Sequence, residues 1–444
     1  MYLKKTRLMG NQTKIIVAVA VLMFNASGNA LASGPVELVL HSFAGAPDGA
    51  NPSAGLVADA GGNLYGTTTL GGTDSACSCG TVFKLSPPSL MGGSWTETLL
   101  YTFKGGAADG KAPHGALTFD KAGNLYGTTQ SGGPGNTGTV FELTPPLSQG
   151  GTWTEKVLFF FASDGSQGKW PSGFLIFDGV GNLYGTTEGG GAIRGCIVCG
   201  TVFQLKPPAT QGAAWTETIL YTFGAVANDG LQPGPGLVLR SGALYGTTQV
   251  GGTTQLGTVF ELVQSSGVWS ENLLYTFPGG SGGSGPLGRL IFDSAGNLYG
   301  TARAGGNPNS GCPEGCGLVF ELLPPSTAGN PWQESVLYTF RGGLDGGSPL
   351  GGVVRDTVGN VYGTAAVGGL LGSAGNNGVL FKLNLPTVSG GAWTETVLHT
   401  FGGSAAGDGR LADSSLIIVD GKFYGTTNQG ATASNLGTVF RVVP

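Results

Sequence analysis

Short runs rich in apolar and β-branched residues alternate with clusters of Gly, Pro, Asn and Asp along most of the chain. In one stretch these runs cover 115–120, 124–130, 138–144 and 153–161. Runs of this length, bounded by turn residues, predict short β-strands joined by hairpins. No window keeps a helical period, so the pattern predicts an all-β fold.

The tripeptide Tyr-Gly-Thr marks a long internal repeat. Its seven copies are separated by 61, 58, 61, 54, 63 and 62 residues. Each unit holds four strand patterns, and four antiparallel strands in each of seven units predict a seven-bladed β-propeller. The copies begin at Tyr65, Tyr126, Tyr184, Tyr245, Tyr299, Tyr362 and Tyr424.

The two ends of the chain fit a closed ring. The last unit has three strand patterns, at 414–419, 422–428 and 437–442, and lacks a fourth. The missing pattern stands at 36–43, which aligns with the fourth-strand pattern at 96–103. We therefore expect the N-terminal strand to complete the last blade and remove an exposed sheet edge. On this basis we expect 33–444 to form one propeller domain.

Residues 1–32 predict a secretory signal peptide. Four basic residues precede a ten-residue apolar run at 15–24, and Ala30-Leu31-Ala32 is a small-residue cleavage site. A membrane-spanning helix needs about 20 apolar residues, so the run is too short for an anchor. We also expect no C-terminal anchor. We expect a secreted protein, or a periplasmic one, with no membrane span in the mature chain.

The composition of the chain restricts the classes of protein and of binding partner that are plausible. The chain has 40% hydrophobic residues, 21 Lys and Arg, and 26 Asp and Glu. That hydrophobic fraction can bury a core, which excludes a disordered polyelectrolyte. A net charge of -5 argues against a nucleic-acid binder, which needs clustered cations. We expect a monomer.

Residues that recur in every unit are assigned to the scaffold, because an active site is asymmetric and the repeat is not. The Asp-x-x-Gly-Asn turn, as at 59–63, has the chemistry of a hairpin. A Glu near the start of each fourth strand belongs to the same class. For the recurring Trp residues, packing between blades is preferred to a role as sugar-stacking platforms. They are Trp95, Trp153, Trp215, Trp269, Trp332 and Trp393.

One position that changes from blade to blade is a candidate for ligand binding. It follows Tyr-Gly-Thr-Thr or its equivalent, at the end of the second strand, where an asymmetric binding surface needs variation; surface drift is the alternative. The Lys169-Trp170 pair and His114 are further singular residues in inter-blade loops. The candidate binding residues are Gln130, Trp170, Glu188, Gln249, Arg303 and Asn428.

An Asp-Gly dipeptide stands in six of the seven inter-blade loops. Asp on a flexible loop suits Ca²⁺, which takes several oxygen ligands, whereas Asp-Gly is also a common turn. The turn is the favoured interpretation, and Ca²⁺ is an optional ligand rather than a required cofactor. The candidate metal-binding residues are Asp48, Asp109, Asp164, Asp229, Asp345 and Asp408.

Six cysteines lie in three local pairs within the same loop of alternate units. An even number of cysteines in an exported chain predicts three disulfides that staple these loops. A zinc site would require two pairs to meet across the ring, which alternate blades prevent. The pairs are Cys77 with Cys79, Cys196 with Cys199, and Cys312 with Cys316.

The sequence favours a binding module over an enzyme. The chain has three histidines, and two of them, His41 and His399, replace a fourth-strand Tyr. From the sequence alone we expect no catalytic partner within hydrogen-bond reach of either histidine. We expect a module that binds a carbohydrate or a surface protein. The alternative is a propeller hydrolase or lyase with a metal near the channel mouth.

The motifs Asn-Leu-Tyr-Gly-Thr-Thr, Gly-Thr-Val-Phe-Glu-Leu and Trp-Thr-Glu-Thr belong to a repeat that extends over nearly all of 36–444. On these motifs the chain resembles the choice-of-anchor tandem-repeat GloVer-containing bacterial proteins. The resemblance implies an extracytoplasmic location and carries no established activity. The Asp-x-x-Gly-Asn-Leu-Tyr pattern is more distantly similar to gluconolactonase-like and streptogramin-lyase-like propellers, which supports the fold and not a reaction.

Overall fold

The described residues form seven four-stranded antiparallel blades, as the repeat predicted. The computed structural model describes residues 35–444 apart from 75, 91, 149, 192–195, 197, 211, 307, 310–311, 328, 370–376 and 389. The signal-peptide prediction and the boundary at residue 32 lie outside the described residues. We number the blades 1 to 7 by their Tyr-Gly-Thr copies and the strands of each blade in the order in which they pair. Among the described residues, no helix is long and apolar enough to cross a membrane.

The strand bounds repeat closely from blade to blade. First strands are Val57–Ala58, Thr118–Phe119, Ile176–Phe177, Val238–Arg240, Ile291–Phe292, Val354–Arg355 and Ile417–Val419. Second strands are Leu64–Thr68, Leu125–Gly132, Leu183–Gly189, Ala243–Gly251, Leu298–Ala304, Val361–Ala365 and Lys422–Thr427. Third strands are Thr81–Ser86, Thr139–Thr144, Thr201–Lys206, Thr258–Ser265, Leu318–Leu323, Val379–Asn384 and Thr438–Val443. Fourth strands are Thr96–Thr102, Thr154–Phe160, Thr216–Thr222, Val268–Thr276, Gln333–Thr339, Thr394–Thr400 and Val36–Ser42.

Short segments in the inter-blade loops pair antiparallel with the ends of the second strands. The segments within blades are Gly110–Pro113, Lys169–Pro171, Gly230–Pro233 and Ser284–Pro286. Two further pairs form separate two-stranded sheets, Gly49–Ala50 with Leu70–Gly71 and Gly409–Arg410 with Gln429–Gly430. The loops also contain two 3₁₀ turns, Gly280–Gly282 and Ser404–Ala406.

The N-terminal strand closes the ring, as expected. Val36–Ser42 pairs antiparallel with Thr438–Val443, the third strand of blade 7. On the inner side, the Thr426 hydroxyl of blade 7 donates to the Ala54 carbonyl, which precedes the first strand of blade 1, at 3.0 Å. Blade 7 is therefore built from both ends of the described chain.

A Phe–Phe contact recurs between successive blades and explains the Gly of Tyr-Gly-Thr. Phe103, which follows the fourth strand of blade 1, meets Phe141 of blade 2 with ring centroids 5.1 Å apart. Phe43 and Phe83 make the same contact, at 5.2 Å, where the ring closes. A Cβ on Gly127 would lie 2.6 Å from the Phe141 ring, so the strand needs Gly there. Full burial of each Phe contributes roughly 1.5–3 kcal/mol to folding.

A β-bulge at one point of every fourth strand orients the residue that follows it. In blade 1 the register shifts between Val82 and Phe83, so that Leu100 is the extra residue and Tyr101 pairs with Val82. Leu100 is buried, while the Tyr101 hydroxyl donates to Asp109 in the loop that leads to the next blade. The same shift occurs before His41 in blade 7 and before His399 in blade 6.

Candidate functional site

In every blade the chain approaches the central channel through two residues, which we call the inter-blade step, and the first of them is hydrogen-bonded to the preceding blade. The first residue of the step has a left-handed conformation, and in six blades the second is Pro. The first residue's backbone N–H donates to a carbonyl in the loop between the second and third strands of the preceding blade. The seven distances run from 2.7 to 3.1 Å. We call this bond the inter-blade clasp; its donors are Asn51, Ala112, Trp170, Gln232, Gly285, Ser348 and Leu411.

The residues between this step and the first strand line the entrance of the channel, which we call the channel mouth. A cavity of about 190 Å³ there is lined by residues from all seven blades. A second cavity, of about 220 Å³, is lined by first-strand residues and by the residues just before them, and it shares Phe174 and Arg289 with the first cavity. Because the ring closes, short segments far apart in the sequence meet around one space.

Four side chains interrupt a lining of otherwise small or aliphatic residues. At the position of Gly55 five of the seven blades have Gly, Ala or Ser, and at the position of Ser53 five have Ser, Gly or Leu. The exceptions with polar or aromatic side chains are His114, Phe174, Arg289 and Asp413, from blades 2, 3, 5 and 7. The channel mouth is therefore asymmetric although the scaffold repeats.

Asp413 and Arg289 carry buried polar atoms that have no hydrogen-bond partner among the described residues. These atoms are Oδ1 of Asp413 and Nε of Arg289. Burial raises the pKa of Asp413 to about 7. Burial also lowers the pKa of Arg289, whose guanidinium lies 5.5 Å from the Phe174 ring centroid. Unpartnered buried groups of this kind are costly unless a ligand or water satisfies them.

His114 faces the channel beside a residue predicted from the sequence. Its side chain is exposed to the channel, yet the surrounding blades remove it from bulk solvent, and this burial lowers its pKa. The Glu188 carboxylate of blade 3 opposes that shift through its charge. His114 and Glu188 therefore belong to one electrostatic environment at the mouth.

The sequence-predicted binding residues lie at or near the ends of the second strands or, for Trp170, in an inter-blade segment, and none of them lines either cavity. Asn428 shows the arrangement, because its N–H donates to the carbonyl of clasp residue Leu411 and its own carbonyl accepts from Asn51 Nδ2 at 3.0 Å. Trp170 is itself a clasp residue, and the Lys169 ammonium lies 4.2 Å from its ring. Arg303 is exposed on blade 5. Gln130, Glu188 and Gln249 lie in the second strands of blades 2, 3 and 4, and their binding role stays a prediction.

Sequence reasoning missed Phe174, Arg289 and Asp413. A signal existed for Phe174 and Arg289, because the other five blades have Gly, Ala or Ser at that position; at the position of Asp413 only three blades have Gly or Ser. His114 was recognised as singular but was not connected to the other three. The repeated Trp residues pack between blades, as expected; Trp153, for example, meets the Tyr65 ring of the preceding blade edge-on at 6.4 Å.

The Asp residues of the Asp-Gly loops lie at the outer edge of the ring. At this edge, the end of each fourth strand and the loop that follows it contact the fourth strand of the next blade. We call this contact region an outer junction. Asp109 shows the usual arrangement, accepting from the Tyr101 hydroxyl at 2.9 Å and the Lys104 N–H at 2.7 Å. Asp164 differs, because it is exposed and accepts from Ser166 N–H.

The six Asp carboxylates are divided among six separate outer junctions rather than gathered at one point. Their capping of turns and strand ends is the role that the structure displays, and calcium binding by Asp48, Asp109, Asp164, Asp229, Asp345 and Asp408 stays a prediction. In each outer junction a Glu of the next fourth strand lies close by. Burial, assisted by the charge of Asp109, raises the pKa of Glu155 to about 7.

The predicted disulfides are confirmed. Cys77 pairs with Cys79, Cys196 with Cys199, and Cys312 with Cys316. In each pair the second cysteine supplies the carbonyl that accepts the inter-blade clasp, as Cys316 does from Ser348 N–H at 2.7 Å. The disulfides therefore staple the loops that hold the next blade's entry into the channel.

The model of the Gloeobacter/Verrucomicrobia repeat matches residues 29–191 and 147–312, which together extend over more than half of the chain. The chain belongs to this repeat family. For this Gloeobacter/Verrucomicrobia repeat protein, no curated protein gives a sequence match.

Solved structures resemble this Gloeobacter/Verrucomicrobia repeat protein at low sequence identity. A polysaccharide lyase of family PL25, an ulvan lyase, has a TM-score of 0.51 at 11% identity, covering 91% of this chain and 95% of its own. A puromycin-hydrolyzing peptidase of Mycobacterium tuberculosis has a TM-score of 0.50 at 11% identity, covering 87% and 50%. PorZ, a surface component of the type-IX secretion system of Porphyromonas gingivalis, has a TM-score of 0.48 at 15% identity, covering 87% and 46%.

This repeat protein thus spans about half the length of PorZ and of the peptidase. At such identities the similarities support the fold alone. The solved structures serve different functions, so the function of this chain has to be argued from its own residues.

Proposed function

We propose that the protein is a secreted binding module that holds an acidic carbohydrate at the channel mouth. The observation that carries the proposal is the cluster of singular side chains, His114, Phe174, Arg289 and Asp413, around the cavity of about 190 Å³. The three disulfides agree with an oxidising compartment outside the cytoplasm.

The chemistry of these side chains suits a sugar that carries a carboxylate. The Phe174 ring offers an apolar face for the C–H groups of a sugar ring. The Arg289 guanidinium matches a carboxylate with two parallel hydrogen bonds. Asp413 and His114 can hydrogen-bond to hydroxyl groups. The cavity is small compared with common ligand pockets of about 300–1,000 Å³, so we expect it to take a terminal sugar rather than a long chain segment.

The test is calorimetric titration of the full chain with neutral and uronic-acid oligosaccharides. We expect binding of the acidic sugars and a loss of at least about tenfold in affinity for Arg289→Gly and Asp413→Ser. Other blades carry Gly or Ser at these positions, for example Gly55 and Ser53, so both variants keep a residue type that the scaffold accepts. Lys156→Thr is the control, because Thr98 holds the equivalent position in blade 1.

Unchanged affinity in both mouth variants would show that the mouth is not the binding site. If no oligosaccharide binds while an extracellular protein does, the carbohydrate assignment is wrong and the surface-protein alternative replaces it. Circular dichroism of each variant checks separately that the fold is kept, so a loss of binding can be distinguished from misfolding.

One observation favours a hydrolase or lyase as a second candidate. His114 and Asp413 line the same cavity, and a carboxyl with its pKa raised to about 7 is suited to acid–base catalysis. Among the described residues, however, no hydrogen bond or ion pair joins His114 to Asp413 or Asp413 to Arg289. Incubation with a bound oligosaccharide, followed by mass spectrometry, tests this candidate; products lost in Asp413→Ser would support it.

A further inference from the structure

Two adjacent outer junctions differ from the others in their chemistry. In four blades the residue after the fourth-strand bulge is Tyr, as at Tyr101 and Tyr338, and its hydroxyl donates to an acidic side chain. Blade 2 has Phe159 at this position. Blades 6 and 7 have His399 and His41, so an imidazole nitrogen replaces the phenol oxygen on both sides of the blade that closes the ring.

Each of these histidines lies with an Asp and a Glu in one compact group. His41 Nε2 is 3.2 Å from Asp48 Oδ2, and Glu97 of blade 1 completes the group. In the second group His399 Nε2 is 3.0 Å from Asp408 Oδ2, and Glu37 of the N-terminal strand completes it. Within each group the three side chains offer ligand atoms that all lie within 4.8 Å of one another.

The packing around both groups fixes the side chains before any ion arrives. The His41 ring meets the Phe43 ring edge-on at 4.7 Å, and the His399 ring meets Phe401 at 4.8 Å. Asp48 Oδ2 also accepts the Ala44 N–H at 2.9 Å, which holds its carboxylate in place. Side chains that are already oriented lose little conformational freedom when they bind an ion.

A buried carboxylate oxygen in each group remains available. Oε1 of Glu37 and Oε1 of Glu97 are buried and have no hydrogen-bond partner among the described residues. The His and Asp side chains remain between 12% and 21% exposed, so solvent can reach both groups. An ion bound there could therefore keep water in its remaining coordination positions.

We propose that His41–Asp48–Glu97 and His399–Asp408–Glu37 are two binding sites for a divalent transition-metal ion such as Zn²⁺. One imidazole nitrogen with two carboxylates is a ligand set that zinc accepts with a fourth, open position. Ca²⁺ prefers six to eight oxygen ligands, which neither group supplies. The proposal thus assigns a different metal class to two of the six Asp-Gly loops.

The two proposed sites lie on either side of the strand that closes the ring, so a bound ion would have a structural role. Glu37 and His41 both belong to the N-terminal strand, Val36–Ser42. One site joins that strand to blade 1, and the other joins it to the end of blade 6. Metal bound at both sites would therefore fasten the closing strand to its two neighbours and stabilise the closed ring.

The test is calorimetric titration of the metal-free full chain with Zn²⁺, together with thermal unfolding in EDTA and in Zn²⁺. We expect two ions per chain and a higher Tm with Zn²⁺, because an ion that binds the folded state alone stabilises it. His41→Tyr and His399→Tyr should each remove one ion, and the double variant should remove both. Tyr is the residue that four other blades use at this position, so these variants keep the scaffold.

A gain-of-binding variant protects the test against misfolding. Tyr101→His would place an imidazole beside Asp109 and Glu155, and we expect it to add a third ion. Asp164→Asn, in an exposed loop, should leave the stoichiometry at two. Wild-type chain that takes up less than one Zn²⁺, or a double His→Tyr variant that binds as the wild type does, would overturn the proposal. No channel-mouth residue is changed, so failure here says nothing about carbohydrate binding.

Discussion

Side-chain pairs between the second and third strands show how single residues are constrained in this repeat. In five blades two facing Thr hydroxyls lie 2.7–2.8 Å apart and are fully buried, as in Thr129 and Thr139. In blades 5 and 6 both positions are apolar instead; blade 6 has Ala365 facing Val379. Either two polar or two apolar partners occur, which agrees with the penalty for leaving one buried hydroxyl unpaired.

This pairing predicts a non-additive response to substitution in blade 2. Thr129→Ala alone should destabilise the protein, because it leaves the Thr139 hydroxyl buried without its partner. Adding Thr139→Val reproduces the blade 6 pair and should restore at least about 1 kcal/mol of unfolding free energy. Urea unfolding of the two variants and the wild type checks this. A double variant less stable than the single one would show that the hydroxyl pairing is not what couples the two positions.

At the scale of structural elements, the inter-blade clasp carries the contact between one blade's loop and the next blade's entry strand. Three of the seven clasps have a cysteine of a disulfide as acceptor, namely Cys79, Cys199 and Cys316. The other four use residues without a disulfide, such as Thr137, whose carbonyl accepts from Trp170 N–H at 2.9 Å. The disulfides therefore reinforce alternate junctions.

Removing one disulfide should loosen one junction and leave its neighbours unchanged. In the double variant Cys312→Ala/Cys316→Ala we expect faster hydrogen exchange at the Ser348 amide, whose N–H donates to the carbonyl of residue 316. The Trp170 amide is the internal control, because its clasp contains no disulfide. Loss of this short cross-link should cost about 2 kcal/mol of stability. Equal exchange rates at Ser348 in wild type and variant would show that the disulfide does not stabilise the inter-blade clasp.

At the scale of the whole molecule, the fourth-strand glutamates make stability depend on pH. Outside the two histidine junctions, burial raises the pKa of five of them to about 7, from 4.5. A raised folded-state pKa means that the folded chain holds protons that the unfolded chain releases. Stability is therefore expected to fall as pH rises from about 4.5 to about 7. The five residues are Glu155, Glu217, Glu271, Glu334 and Glu395.

Glu155→Gln isolates one contribution to this dependence. Gln resembles the protonated acid, so the variant should be more stable than wild type at pH 8, by about 1 kcal/mol after solvent screening, and nearly equal to it at pH 4. Thermal unfolding in EDTA at both pH values measures the difference. Glu314→Gln, in an exposed loop, removes the same charge and should change stability little at either pH. Stabilisation by Glu155→Gln that is equal at both pH values would contradict the assignment to proton binding.

The repeating scaffold could be predicted from the sequence because its causes are local and periodic. The Asp-x-x-Gly-Asn turn illustrates this: Asp59 Oδ1 accepts the N–H groups of Gly61 and Asn63, so the turn is formed by residues within five positions. Phe residues that pack between blades recur once in every repeat, and the unpaired N-terminal strand pattern indicated closure. The channel mouth was not predicted: Phe174, Arg289 and Asp413 were missed, and the candidate positions at the second-strand ends line neither cavity.

By itself, the sequence determined the all-β fold, the number of blades, the disulfide pairs and the strand that closes the ring, because each follows from hairpin chemistry, spacing or an unpaired edge. The tertiary structure alone decided which non-repeating side chains share a cavity. His114, Arg289 and Asp413 are separated by more than 100 residues from one to the next. They line one cavity because seven blades bend the chain into a circle and bring every first strand to the same axis. The same closure sets Glu37 beside His399 and Asp408, at the opposite end of the chain.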